Sequence, residues 1–104
     1  MTEKKKQLGN VAFGGNWSEE LVDKDQLQRT LSVIERAVRD CARRDVRSRQ
    51  LEKALEEISR TIEKGPQLTR RFMRSLAEPN PSLRYMEAGR VARIIRRSVG
   101  GLGG

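Results

Sequence analysis

Apolar residues recur through the middle of the chain at the spacing of one helical face. Leu27, Leu31, Ile34, Val38 and Cys41 follow a 4-3-4-3 pattern, and Leu51, Leu55, Ile58 and Ile62 repeat it at 4-3-4. Steps of three and four residues stack side chains on one side of a helix. Counted at 100° per residue, the second stripe lies roughly 120° out of phase with the first. Continuing the first stripe would need apolar residues where the chain has Asp45, Ser48, Arg49 and Glu52. Either the helix breaks around Ala42–Asp45 into an antiparallel hairpin, which is the preferred reading, or one rod changes the face it buries. No Gly or Pro marks a turn there.

Punctuation elsewhere is clearer. Asn16 stands three residues before Glu19, resembling a capping box that opens the first helix near Trp17. Gly65-Pro66 reads as a stop and a restart, and Asn80-Pro81 as an N-cap followed by proline in the first turn. Leu68, Phe72 and Leu76 give the short segment between them one apolar face. The pattern predicts helices over 17–43, 46–64, 67–78 and 81–98, and no run alternates as a strand would. The expected fold is all-α, a small helical hairpin or bundle of three to four helices. Residues 1–16 read as a disordered arm, 17–64 as a hairpin or long helix, 65–99 as a basic helical module and 100–104 as a glycine-rich flexible tail.

Composition limits what such helices can do alone. With 104 residues and four aromatic side chains (Phe13, Trp17, Phe72 and Tyr85), the core must come from aliphatic residues and be modest. Two out-of-phase stripes on so small a chain leave apolar surface that a monomer struggles to cover. A homodimer is therefore expected, formed through Leu27, Leu31, Ile34 and Val38, through Leu51, Leu55, Ile58 and Ile62, or through both.

The inventory argues against catalysis. Histidine is absent, and one cysteine can make neither a disulfide nor a zinc site. Cys41 lies on the first stripe and reads as a small buried thiol rather than a nucleophile. The carboxylate pairs sit among Lys and Arg on solvated faces, and no phosphate-binding glycine loop is present. Neither an enzyme activity nor a cofactor or metal is expected. The basic N-terminus lacks the apolar run of a secretory signal, and no stretch is long and apolar enough to span a membrane. The expected location is the cytoplasm, with the nucleus or a virion as alternatives.

Charge is what points towards a partner. The net charge is +8, but residues 18–63 balance ten Lys/Arg against eleven Asp/Glu, whereas residues 64–104 set nine against two. On the last helix Arg90, Arg93, Arg96 and Arg97 fall within about 120° of one another, opposite an arc that includes Leu83, Tyr85, Ala88, Val91 and Ile95. On the helix before it Arg70, Arg71 and Arg74 lie away from Leu68 and Phe72. Guanidinium groups favour bidentate contacts with phosphate or carboxylate. These seven arginines are the candidate anion-binding residues unless acids of the middle region, Glu52, Glu56, Glu57 and Glu63, absorb them. The function expected is that of a nucleic-acid-binding accessory protein holding the phosphate backbone of a duplex with little base readout. The alternative is a helical adaptor whose basic region docks on an acidic protein.

Overall fold

The computed structural model describes residues 24–102, and these form four α-helices with no strand among them. They are α1 Lys24–Asp40, α2 Arg49–Thr61, α3 Gly65–Leu76 and α4 Pro81–Leu102. Each helix packs on its neighbours in chain order, and α4 closes the ring against α1. Along the α1–α4 seam the side chain of Arg84 reaches the Cys41 carbonyl, Val38 lies near Gly89, and Glu35 pairs with Arg96. This order makes α4 antiparallel to α1. The arm predicted for residues 1–16, the first turns from residue 17 and the last two glycines lie outside the described residues.

The break between the two stripes is real and longer than expected. Residues 41–48 leave the helix, and a capping serine restarts it: the Ser48 hydroxyl accepts a hydrogen bond from the Leu51 amide at 3.1 Å. The Asp40 carboxylate receives Arg43 at 2.7 Å and Arg44 at 2.9 Å, which folds the chain back at the end of α1. Asp45 accepts both the backbone amide and the guanidinium of Arg47, and Val46 is buried. Hydrogen bonds from these arginines hold both carboxyls below the usual range. Asp45 and all three arginines are exposed and Asp40 is partly so, so the pairs shape the loop more than they stabilise the fold.

The stripes meet inside one chain, and this corrects the role assigned to them. Leu27, Leu31, Ile34, Val38, Leu51, Leu55, Ile58 and Ile62 are each 9% exposed or less and belong to a single cluster with residues of α3 and α4. A phase difference that would split a rod is resolved once the loop lets each helix turn its own face to the bundle axis. Phe72, Val91 and Ile95, all fully buried, complete that core. The segment 65–99 is thus half of the bundle and shares its core with residues 27–62.

Gly65 also has a role that its place in the sequence concealed. It is the first residue of α3 rather than the end of α2, and a Cβ there would lie 2.4 Å from the Ile58 carbonyl oxygen. Its hydrogen lets α3 start directly against the backbone of α2. At the next turn the expectation holds: the Asn80 side chain accepts from the Leu83 amide at 3.1 Å, with Pro81 in the first turn. At its far end α4 runs through Gly100 and Gly101 to Leu102, beyond the predicted stop near residue 98. Val99 is buried there, and a glycine costs a helix only about 1 kcal/mol relative to alanine, too little to end an anchored turn.

Candidate anion-binding surfaces

α3 turns Leu68, Phe72, Ser75 and Leu76 inward, and α4 does the same with Ala88, Val91, Ala92, Ile95 and Val99. Helical geometry then places the charged residues outside, and Arg70, Arg71, Arg74, Arg90, Arg93, Arg96 and Arg97 are all exposed. Two are held by acids. Arg96 grips Glu35 of α1 with contacts of 2.5 and 3.2 Å, which raises its already high pKa, and Arg90 meets Glu87 of its own helix at 3.4 Å. Arg70, Arg71, Arg74, Arg93 and Arg97 make no ion pair with another described residue. The acids of α2 do not absorb them: Glu56 and Glu57 reach only Arg60, at 3.9 and 3.2 Å.

The seven arginines do not converge. Arg70 and Arg74 line a groove of about 820 Å³ between α2 and α3, with Arg49, Lys53, Glu52 and Glu56. Arg93 and Arg96 line another of about 520 Å³ between α1 and α4, with Arg39 and Glu35. In a ring of four helices these two seams lie on opposite sides. Arg71, Arg90 and Arg97 line neither groove. What remains contiguous is a stripe on the outward side of α4, where Arg93, Arg97 and Arg90 fall within roughly 60° at 100° per residue.

The first turns of α4 depart from the expected apolar arc. Leu83 and Tyr85 were placed on the buried side, yet they are 43% and 51% exposed, and Met86 beside them is 46% exposed. α1 ends at Asp40, nearly level with Gly89, so the earlier turns of α4 extend past their neighbour. Arg84 is the side chain that ties this overhang down, donating to the carbonyls of Cys41 at 2.8 Å, Glu78 at 2.8 Å and Pro79 at 3.0 Å. Its role, and the places of Arg39, Arg49 and Lys53 beside the grooves, were missed because no spacing along the chain says which helices adjoin.

No protein-family model matches the chain, and no curated protein or solved structure is significantly similar to it. The chemistry of the site therefore rests on its geometry. Cys41 is fully buried, and burial pushes its thiol pKa upwards against the opposing pull of Arg84. It is protonated at neutral pH and hence a weak nucleophile. Among the described residues no cluster of three or more His, Cys, Asp or Glu could hold a metal ion, and no helix is long and apolar enough to cross a membrane. The exposed guanidinium groups are suited to oxyanions, phosphate or carboxylate, approached from solvent.

One position in this region runs against helix propensity. Gly89 sits in the interior of α4, and a Cβ there would lie 3.7 Å from Val38 Cγ1, an ordinary contact. Gly89→Ala should therefore raise stability by about 0.5–1 kcal/mol. A rise of a few degrees in the thermal midpoint would confirm it, and a fall would show that the groove wall cannot give.

Proposed function

We propose that this chain is a non-catalytic nucleic-acid-binding accessory protein that holds a duplex through the outward stripe of α4, Arg90, Arg93 and Arg97. The observation that carries this reading is the lack of a carboxylate partner for Arg93 and Arg97 among the described residues, on an exposed face. The three arginines are spaced along one helix side at i, i+3 and i+7; Glu87 offsets only Arg90, and Arg93 and Arg97 repel one another until anions approach. Arg71 and the α2–α3 groove arginines add positive field, but from other sides of the bundle. They steer a polyanion more than they grip it. With few aromatic residues to stack bases, the contacts are to the backbone and carry little sequence preference.

The test is fluorescence anisotropy with several unrelated 20-base-pair duplexes between 50 and 200 mM KCl. Wild type should bind all of them with similar affinity, falling steeply as salt rises. Changing Arg90, Arg93 and Arg97 together to alanine should weaken binding to every duplex by about tenfold or more. It should also flatten the log–log salt slope by about 2–3 units, since each lost phosphate contact removes close to one. The helical circular dichroism should be unchanged, because the three side chains leave the core. Absence of binding to any duplex at 50 mM salt, or a triple variant that binds like wild type, would refute the proposal.

A further inference from the structure

The α1–α4 groove has features that phosphate binding by α4 does not require. Its floor is apolar, built from Val38, Gly89 and Ala92, and its volume is about 520 Å³. Tyr85 and Met86 stand half-exposed along it, and Leu83 is exposed one turn earlier on α4. The rim is cationic: Arg39 and Arg93 pair with no acid among the described residues, while Arg96 is already matched to Glu35. The absent side chain of Gly89 helps keep the floor open, at a place where alanine would fit and favour the helix. A local departure from helix propensity at the base of an apolar groove marks a place shaped for an occupant.

We infer that the α1–α4 groove is a docking site for an acidic amphipathic helix of a partner protein. Such a segment would lay leucine-type side chains at i, i+3/i+4 and i+7 over Val38, Gly89 and Ala92, against Tyr85 and Met86. Its flanking carboxylates would meet Arg39 on one rim and Arg93 on the other. Charge complementarity selects this occupant over a duplex. An apolar floor gains nothing from a phosphate backbone, whereas an apolar helix face is desolvated on it. A basic or neutral helix would leave Arg39 and Arg93 facing no counter-charge. The site shares Arg93 with the duplex stripe, but its apolar floor and Arg39 lie outside that stripe, so the two readings can fail separately.

The probe is a fluorescein-labelled 16-residue peptide with leucines on one helical face and glutamates on the flanks. Its controls are the same composition with the leucines shuffled and a polyglutamate of equal charge. The full chain should bind the amphipathic peptide with micromolar affinity and each control at least tenfold more weakly. Gly89→Leu, which fills the floor, and Met86→Glu, which adds like charge at an exposed position, should each weaken peptide binding tenfold or more. Neither should change helical circular dichroism, and Gly89→Leu should also leave duplex affinity unchanged, whereas Met86→Glu, four residues from Arg90 on the same helix side, should lower it. Equal binding of the shuffled peptide would reduce the site to plain charge attraction and overturn the proposal, as would a folded Met86→Glu that binds like wild type. Light scattering that gives twice the monomer mass, lowered to the monomer by Gly89→Leu, would assign the groove to a second copy instead.

Discussion

Placing aspartate at both Leu31 and Ile34 is expected to unfold the chain rather than to split an assembly into folded monomers. Both side chains are buried, at 2% and 1% exposure, in the cluster that joins all four helices. Removing a large aliphatic side chain from such a site costs about 2–5 kcal/mol before any charge is considered. A carboxylate left in that space has no cation beside it, so it stays protonated or lets water into the core, and either adds to the loss. A bundle of this size has a total stability of about 4–12 kcal/mol, at roughly 0.05–0.15 kcal/mol per residue. Two such sites consume all of it. Circular dichroism of the double variant should show the helix signal largely lost at every protein concentration. A variant that kept its helices but halved its mass would return the stripe to an interface between copies.

Gly65→Ala is the second large effect, and it acts through backbone instead of side-chain burial. The added Cβ would stand 2.4 Å from the Ile58 carbonyl oxygen, with Ser59 backbone atoms at 2.8 and 2.9 Å. No rotamer can relieve the clash, because a Cβ has no freedom and its neighbours are main chain. α2 and α3 must separate at the turn between them, where the Gly65 amide donates to the Ile62 carbonyl at 3.0 Å. Overpacking of this kind costs about 1–3 kcal/mol, and a backbone collision belongs at the upper end. Urea denaturation should show the midpoint falling with an unchanged slope. Gly89→Ala supplies the internal contrast, since it is the same substitution in a helix of the same bundle with the opposite expected sign. If both variants are destabilised alike, the close approach of α2 and α3 is not what glycine serves at position 65.

Arginine placement shows how a correct local reading can still misjudge a surface. Each of the seven arginines could be assigned to the solvent side of its own helix from the positions of Leu68, Phe72, Val91 and Ile95. Their sum could not be drawn, because it depends on which seams adjoin and which way each helix turns. In the folded chain two face the α2–α3 groove, two the α1–α4 groove, and one of the latter is taken by Glu35, sixty-one residues away.

By itself, the sequence determined the helical character of the described chain, the buried face of most of its helices and the Asn80-Pro81 start of α4. These properties follow from interactions a few residues apart: three- and four-residue spacing, side-chain capping and the fixed φ of proline. Only the tertiary structure decided that two out-of-phase stripes close a core within one chain, because each helix rotates freely about its axis until a partner fixes it. Tertiary contact likewise turned Gly65 from a helix terminator into a point of backbone contact, since its constraint comes from Ile58 across a turn. It also exposed Leu83 and Tyr85: α1 is shorter than α4, and no pattern within α4 records where its neighbour ends.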